Sequence, residues 1–468
     1  MKKHYKLIVI GGGAGGFAAL IKSNELKTDT LMVNSGLPIG GTCVNVGCVP
    51  SKYLLNIGDF VYSMKKPYTQ SVSATDIKVD FSTAIQEELT LVKKMREEKY
   101  VNVLKSLSYV DYIDGHAYFK NSNQIEVNGS VIIGDNFIIS TGSTANIPQI
   151  EGIDDVGYIT HVEALKLKSL PKKLLIIGAG PVAIEFAQMF RHLGSEVTML
   201  VRSDRILKET EFEISELLEK YLKEEGIVIL KNTSVYKFSK KNNSKFAHIK
   251  VGENEEVISF DEVLLGIGKT PNTASLSLEN AGVSVGEDKA IIVSEFLQTS
   301  NPIIYAVGDV ASLPKRYETT AGREGTLATR NILEKKKVSI NYDEVPYAVF
   351  TNPAVAGVGL TDAQVNEANI QCKCLFLSLD NVPKAHIVGD FRGLMKMIVR
   401  QDTEEVLGVH MISKDASDLI HEGLMIVRNH MTIEDILDSI HVFPTLSEVF
   451  KIIAQSYKTD ISKLSCCV

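Results

Sequence analysis

Short apolar runs of strand length alternate with helical patterns along the first two thirds of the chain. Residues 5–10 form such a run, and the helix-forming sequence FAALIKSNEL follows after a glycine-rich turn. Residues 174–177 repeat the arrangement. Similar runs predict further strands at 30–33, 197–200, 263–267 and 303–307. The chain therefore twice predicts a strand, a tight turn and a helix.

The pattern differs elsewhere in the chain. Residues 81–107 place apolar positions at helical spacing among many Glu and Lys residues, which predicts a long surface helix. Residues 109–140 indicate short β segments with Asn-Gly and Gly-Asp turns, and a domain boundary is expected near 148–155. Beyond residue 340 we expect a separate α+β domain, because helical patterns from residue 416 follow β-rich stretches at 348–360, 372–377 and 394–409.

The first glycine turn matches a dinucleotide-binding pattern. Gly11, Gly13 and Gly16 satisfy G-x-G-x-x-G, and a helix beginning near Ala14 would offer free N–H groups to a pyrophosphate. The residue expected to hold a ribose, 21 positions after Gly13, is Asn34 instead of an acid. An amide still hydrogen-bonds a hydroxyl, but more weakly than a carboxylate. The alternative is an ordinary glycine-rich turn.

The second turn, at Gly178, Gly180 and Ala183, matches the G-x-G-x-x-A variant. No acid stands 21 residues after its second glycine, where the chain has Val201. The cations that follow, Arg202, Arg205 and Lys208, suit a 2′-phosphate and so favour NADPH over NADH. A solvated basic turn is the alternative for these cations. Together the two turns predict an α/β fold with two Rossmann-like dinucleotide-binding domains.

Six cysteines suggest three different uses. In GGTCVNVGCVPSK, Cys43 and Cys48 stand close enough in sequence to form a redox-active pair, with a buried structural pair or half of a zinc site as alternatives. Cys372 and Cys374 alternate on one predicted strand face, where packing is favoured over reactivity. Cys466 and Cys467 are adjacent near the end of the chain, where thiols select soft metal ions unless the tail has no function.

Composition restricts the partners. The 468 residues carry a net charge of −7, so no basic field favours nucleic acid or an anionic membrane. No apolar run approaches the roughly 18 residues that a membrane span needs. We expect a soluble protein that acts on small molecules or protein. The few, closely paired cysteines indicate a reducing compartment, which we take to be the cytoplasm.

Taken together, the cysteine stretch, both glycine turns, YAVGD and the terminal Cys-Cys resemble the FAD-dependent pyridine nucleotide-disulfide oxidoreductases, especially the members that reduce Hg(II) and provide mercury resistance. The resemblance spans essentially the whole chain. It implies FAD at the first turn, with Asp309 on its ribityl or ribose portion, and NADPH at the second. Lys52 and Glu185 match a pair that the family places beside the flavin. The other expected cofactor-binding residues are Gly41, Thr42, Ala117, Thr141, Gly142 and Gly268.

The resemblance also implies an FAD-binding domain at 1–150 and 271–340, a NAD(P)H-binding domain at 151–270, and a dimerisation domain at 341–468. In the mercury-reducing members, which are homodimers with shared active sites, the other subunit's terminal cysteines deliver Hg(II) to the inner pair. By this resemblance the metal is bound by Cys43, Cys48, Cys466 and Cys467. Cys48 is the thiol nearer the flavin, and Cys43 is the thiol that takes part in thiol exchange.

One departure bears on the substrate. The disulfide reductases of the family carry His-Pro-Thr near the C-terminus with a Glu five residues after the His, whereas this chain has Phe443, five residues before Glu448. Phe cannot protonate the thiolate that leaves a disulfide, so its presence favours a metal ion. Whether Tyr317 fills the metal-site role that a Tyr has at this position in many relatives is open. A dihydrolipoamide or glutathione-type disulfide reductase, and a non-catalytic soft-metal binder or redox sensor, are the alternatives.

Overall fold

A computed structural model describes residues 2–69 and 71–463. The described residues form two compact units. The first is drawn from Met1–Tyr53, Thr83–Ile147 and Gly268–Tyr342, and the second from Leu54–Ser82, Pro148–Ile267 and Asp343–Val468. The expected division into an FAD-binding, a NAD(P)H-binding and a dimerisation domain stays a prediction. Residues 54–82, expected in the FAD-binding domain, belong to the second unit.

The first unit is built on a five-stranded parallel sheet. Its strands, in spatial order, are Ile304–Ala306, Phe137–Ile139, Leu7–Ile10, Thr30–Asn34 and Val110–Asp114. The central strand alternates its side chains between two apolar clusters, with Leu7 and Val9 in one and Ile8 and Ile10 in the other. Burial on both faces explains why its sequence is continuously apolar instead of alternating.

The other elements of this unit include the antiparallel and edge strands His4–Tyr5, Ala117–Asn121, Gln124–Val127, Ser130–Gly134, Ser143–Ala145 and Lys269–Pro271. Its helices are Ala14–Glu25, Gly41–Val46, Asn102–Ser106 and Glu318–Leu333, with short 3-10 turns at Leu278–Ala281 and Gly308–Val310. Three elements cross the unit boundary, namely helices Cys48–Lys65 and Phe81–Arg96 and the 3-10 turn Tyr342–Glu344. The long helix expected over 81–107 is confirmed, with a π-helical turn at Glu97–Val101.

The second unit contains three sheets. A parallel sheet has the order Val228–Leu230, Glu196–Leu200, Lys173–Ile177 and Glu262–Leu265. An antiparallel meander has the strands Thr233–Lys241, Ser244–Val251 and Asn254–Phe260. An antiparallel sheet has the order Tyr347–Val349, Ala354–Gly359, Val406–Ser413, Leu394–Arg400 and Cys372–Ser378. The expected α/β fold with a C-terminal α+β part is confirmed.

The helices of the second unit are Ile153–Val156, His161–Ala164, Pro181–Leu193, Phe212–Glu224, Asp362–Glu367, Pro383–Val388, Ala416–Arg428, Ile433–Asp438 and Glu448–Lys458, with 3-10 turns at Leu379–Asn381 and Ile461–Lys463. One face of the last sheet, including Leu375, Met397 and Val409, belongs to the main core of this part of the chain. Within the described ranges, no helix is both long and apolar enough to cross a membrane.

Candidate redox site and cofactor-binding loops

The first glycine loop leaves space where a pyrophosphate would lie. A Cβ on Gly11, whose φ is +111°, would come within 2.2 Å of the Ser140 carbonyl oxygen, so only glycine fits. A Cβ on Gly13 would meet only the Cα of Gly41, at 3.8 Å. Helix Ala14–Glu25 begins at Gly13 without a side-chain cap, so its first N–H groups are available to an anion. The loop fits the pyrophosphate of FAD.

Asn34 closes this loop from the neighbouring strand. Its Oδ1 accepts a hydrogen bond from the Gly12 N–H at 2.9 Å, and its Nδ2 donates to the Leu37 carbonyl at 3.0 Å. The side chain is buried, so these bonds hold the glycine turn against the strand end. Burial raises the pKa of Tyr112, and a hydrogen bond from the Asn34 amide opposes that rise. Asn34 thus has a structural role, and the ribose-binding role expected from the sequence stays a prediction.

Asp309 lies in a polar group of the first unit. The Ser143 hydroxyl donates to its Oδ2 at 2.6 Å, and the Lys269 Nζ lies 3.8 Å from the same oxygen. Thr141 is held near this group by its hydroxyl, which donates to the Asn272 carbonyl at 2.8 Å. Gly142 has open space on its Cβ side. These residues fit the hydroxyl-bearing part of FAD.

The remaining cofactor positions of the first unit differ in what they offer. Gly41 approaches Gly13 closely, and Thr42 lies next to it in the short helix. Gly268 has only the Asn146 amide within 3.5 Å of its Cβ position. Ala117 is buried in the apolar core of the sheet, so only its backbone is suited to a ligand contact.

The second glycine loop repeats this geometry in the second unit. A Cβ on Gly178, at φ +134°, would lie 2.2 Å from the Gly266 carbonyl oxygen, whereas Gly180 faces open space. Helix Pro181–Leu193 starts there without a side-chain cap, and Ala183 packs closely on Gly266. The loop fits a second dinucleotide.

The cations expected near a 2′-phosphate differ in availability. Arg202 and Lys208 are exposed. Arg205 instead donates to the Lys208 carbonyl at 2.6 Å and stacks over Phe212, with its guanidinium carbon 5.7 Å from the ring centroid. Arg202 and Lys208 are therefore better placed for a phosphate than Arg205.

The inner cysteines lie at the junction of two helices. Cys43 is in helix Gly41–Val46, which begins close to the start expected near Thr42, and Cys48 is the first residue of the long helix Cys48–Lys65. Gly47 joins the helices, and a Cβ there would come within 3.1 Å of the Cys43 Cα. Both cysteines are free thiols, Cys43 half-buried and Cys48 exposed.

The two thiols differ in acidity. Cys43 donates to the Cys48 sulfur, which raises the pKa of Cys43 and lowers the pKa of Cys48. Lys52, one turn along the helix, lowers the pKa of Cys48 further. The helix N-terminus also favours a thiolate at Cys48. Cys48 is therefore the more acidic thiol of the pair, although burial and Glu318 oppose the shift in its pKa.

A carboxylate completes this site. The Cys48 sulfur lies 3.6 Å from Glu318 Oε2, and the ligand atoms of Cys43, Cys48 and Glu318 all lie within 4.8 Å of one another. We call these three residues the helix cluster. Glu318 was not predicted, because it is the first residue of a helix 270 positions from Cys48 and no local pattern marks it. The Tyr100 ring was also missed; burial raises its pKa to about 12, and the charge of Glu318 adds to that shift.

The predicted roles of Lys52, Glu185 and the two terminal cysteines stay predictions. Lys52 belongs to the first unit and Glu185 to the second, so their pairing stays a prediction. Glu185 Oε1 accepts a hydrogen bond from the Phe350 N–H at 2.9 Å. Cys466 and Cys467 lie outside the described residues.

Phe443 is half exposed on the second unit, and Tyr317 precedes Glu318 in the first. His441 lies two positions before Phe443 and is paired with a carboxylate. Its side chain is 9% exposed and its Nε2 lies 2.7 Å from Glu422 Oε1.

Comparison with known proteins defines the class. The family model described as pyridine nucleotide-disulphide oxidoreductase matches residues 5–326, and its dimerisation domain matches 345–454. The chain belongs to this family of flavoenzymes. Its cofactors are FAD and NADPH.

Among named relatives, the chain is similar to a mercuric reductase from Staphylococcus aureus, at 38% identity over 464 residues that cover 99% of this chain and 84% of the relative. A mercuric reductase from Streptomyces lividans is 36% identical over 469 residues, covering 99% of this chain and 98% of the relative.

Among solved structures, the chain resembles the HOCl-induced flavoprotein disulfide reductase RclA from Escherichia coli. The TM-score is 0.86 at 28% identity, covering 97% of this chain and 100% of that chain. The Cu(II) complex of the same protein gives a TM-score of 0.88 at 28% identity, covering 98% and 100%.

Proposed function

We propose that this flavoenzyme reduces Hg(II) to Hg(0) at Cys43 and Cys48. The observation that carries the proposal is the helix cluster, in which two thiols and a carboxylate lie within 4.8 Å of one another. Soft thiolates select soft metal ions, and a pair at this separation can hold one ion between them. The similarity to mercuric reductases over nearly the whole chain supports the same substrate.

The protein's own groups have separate tasks in this proposal. The first glycine loop, Asn34 and Asp309 would hold FAD, and the second glycine loop with Arg202 and Lys208 would hold NADPH. When bound, these cofactors would supply the two electrons of the reduction. The cysteines bind the metal, and the surrounding protein keeps it in place until it is reduced.

Metal capture follows from the unequal acidity of the two thiols. The Cys48 thiolate displaces one ligand of incoming Hg(II), and Cys43 then loses its proton and displaces the second. Two S–Hg bonds form and one proton is released from Cys43. When the ion gains two electrons, both S–Hg bonds break, Hg(0) leaves and both thiolates remain. Cys466 and Cys467 of the other subunit in a homodimer are proposed to pass Hg(II) to this pair by the same exchange.

A disulfide or Cu(II) substrate is the second candidate, and Glu318 is the observation that favours it. The Glu318 side chain, with its Oε2 3.6 Å from the Cys48 sulfur, is the group placed nearest to the thiols for acid–base work on a leaving thiolate among the residues that form the helix cluster, a task for which Phe443 is unsuited. Carboxylate oxygen is also a better ligand for Cu(II) than for Hg(II). The similarity to RclA, described as a disulfide reductase and solved as a Cu(II) complex, points the same way.

Steady-state NADPH oxidation separates these functions. The purified FAD-loaded protein is assayed with Hg(II), Cu(II), oxidised glutathione and lipoamide. The proposal expects rapid turnover with Hg(II) and slow turnover with the disulfides. It also expects that Cys466→Ala with Cys467→Ala lowers Hg(II) turnover when the ion is supplied as a thiol complex. Brisk disulfide reduction without Hg(II) turnover would contradict the proposal, and stoichiometric Hg(II) binding without NADPH consumption would indicate a metal binder.

A further inference from the structure

A second group of metal-ligating side chains lies in the antiparallel sheet of the second unit. The sulfurs of Cys372 and Cys374 and a carboxylate oxygen of Asp362 all lie within 4.8 Å of one another, and all three residues are half-buried. We call them the strand cluster. We propose that the strand cluster is a binding site for a thiophilic divalent cation such as Hg(II) or Cd(II), separate in sequence from Cys43 and Cys48.

The sheet register places both thiols on one face. Both cysteines are on the edge strand, where Cys372 pairs with Arg400 and Cys374 with Ile398 of the adjacent strand. Because Lys396 is two positions from Ile398 on that strand, its side chain leaves the sheet on the same side as the two thiols. The opposite face, with Leu375 and Leu377, belongs to the main core. On the thiol side, Cys372 and Cys374 pack against the small apolar cluster of Val365, Ile398 and Leu407. The packing expected from the sequence is present, and it brings the thiols beside a carboxylate.

Asp362 comes to the thiols from the start of the helix Asp362–Glu367. Thr361 caps this helix, and the Asp362 N–H donates to Glu211 Oε1 at 2.7 Å. Asp362 Oδ1 accepts from the Asn366 side chain at 3.2 Å. Each carboxylate oxygen has a further lone pair, so Asp362 can serve as a ligand without losing these contacts. Its side chain is 39% exposed, which gives an ion a path to the site.

A buried lysine lies beside this carboxylate. The Lys396 Nζ lies 2.7 Å from Glu211 Oε2, 3.1 Å from Glu213 Oε2 and 3.6 Å from Asp362 Oδ2. Because the two glutamates are closer, they carry most of the neutralisation of Lys396, and Asp362 keeps negative charge for a cation. Groups that hold a metal ligand in this way support metal affinity in proteins.

The spacing of the thiols suits a bridging ion better than a disulfide. Residues two apart on a strand have Cα atoms about 6.7 Å apart, close to the upper limit for a disulfide. Two sulfurs on one ion, at bonds of about 2.3 Å, are instead about 3.8 Å apart in tetrahedral geometry and about 4.6 Å apart in linear geometry. Binding releases the two thiol protons, forms two S–metal bonds and needs no oxidant or reductant.

Cd(II) titration of the full-length, FAD-loaded chain tests this site. In a variant with Cys43, Cys48, Cys466 and Cys467 all changed to Ser, we expect one Cd(II) per chain and a new thiolate-to-metal absorption band. Adding Cys372→Ser and Cys374→Ser should abolish both. Asp362→Asn should weaken Cd(II) binding about tenfold, whereas Asp402→Asn, at an exposed aspartate of the same domain, should leave it unchanged. Absence of the band in the fourfold variant would overturn the proposal, provided that the variant retains its flavin.

A measurement on the unmodified protein covers the case in which that variant does not fold. The reduced, FAD-loaded chain is alkylated slowly in mildly alkaline buffer, with and without Cd(II), and the labelled peptides are identified by mass spectrometry. The proposal expects Cd(II) to protect Cys372 and Cys374 together. Equal labelling of both residues with and without Cd(II), or a Cys372–Cys374 disulfide that forms in spite of Cd(II), would contradict it.

Discussion

The helix cluster and the strand cluster present the same ligands on different backbones. Each combines two cysteines with one carboxylate within 4.8 Å. Cys48 opens a long helix and receives a hydrogen bond from Cys43, which lowers its pKa, whereas burial and the charge of Asp362 raise the pKa of Cys374 to about 12. A strand offers no helix dipole to a thiolate. Reactivity therefore depends on the backbone and the neighbours more than on the ligand set.

This difference assigns the clusters different chemistry. The more acidic thiol at Cys48 can exchange ligands with an incoming metal ion, and the bound ion then accepts the electrons. Cys374, whose pKa is raised to about 12, keeps its proton until a cation displaces it, so the strand cluster can bind a metal but is poorly suited to turnover. The helix cluster is therefore suited to turnover, and the strand cluster to metal binding alone.

The largest expected effect is on the rate of turnover, which should depend on the cysteines of the helix cluster and not on those of the strand cluster. Cys43→Ser or Cys48→Ser should lower Hg(II)-dependent NADPH oxidation about a thousandfold, because each removes an atom bonded to the reacting ion. The matched pair Cys372→Ser and Cys374→Ser should cost less than about threefold. Initial rates at saturating NADPH check both, with flavin absorbance as the control for folding. Equal losses at the two clusters would show that the comparison is wrong.

The next effect concerns stability, because the strand cluster is tied to a buried ion network around Lys396. Lys396→Met leaves the buried Glu211 carboxylate without its closest cation, and we expect a loss of about 3 to 5 kcal/mol in the free energy of unfolding. Lys373→Met, on the neighbouring strand, removes an exposed cation 4.3 Å from the Tyr457 ring centroid and should cost about 1 kcal/mol or less. Urea unfolding followed by circular dichroism measures both.

A second substitution makes this result specific. Glu211→Gln combined with Lys396→Met removes the buried charge along with its partner and should recover part of the loss. If Lys396→Met proves as mild as Lys373→Met, the ion network does not support the strand cluster.

The parts of the molecule that could be predicted from the sequence are those set by local sterics and periodicity. Gly11 and Gly178 were identified from the glycine spacing of a short strand–turn–helix segment, and the structure gives the reason for that spacing, because a side chain there would strike a backbone carbonyl. The apolar strands and the long helix at 81–107 follow from the periodicity of the apolar residues alone. Local chemistry was also sufficient to pair Cys43 with Cys48.

The parts that could not be predicted depend on contacts between distant segments. Glu318 reaches Cys48 across 270 positions, and its own surroundings in sequence are those of an ordinary helix start. The strand cluster was predicted only as packing, because register places Cys372 and Cys374 on one face but says nothing of Asp362, which arrives from a separate helix. Tertiary folding, not pattern, supplies the carboxylate in both clusters.

The smallest effect tests that carboxylate in the helix cluster. The Glu318 charge opposes a thiolate at Cys48, so Glu318→Gln should lower the pKa of Cys48 further. The thiolate then persists to lower pH, and alkylation of Cys48 by iodoacetamide in mildly acidic buffer should accelerate up to about tenfold, with little change in alkaline buffer where Cys48 is already ionised. Glu295→Gln, at an exposed glutamate of the same unit, is the matched control. A pH profile that Glu318→Gln leaves unmoved would mean that Glu318 acts only as a ligand, and a profile displaced to higher pH would mean that it stabilises the thiolate by donating a proton.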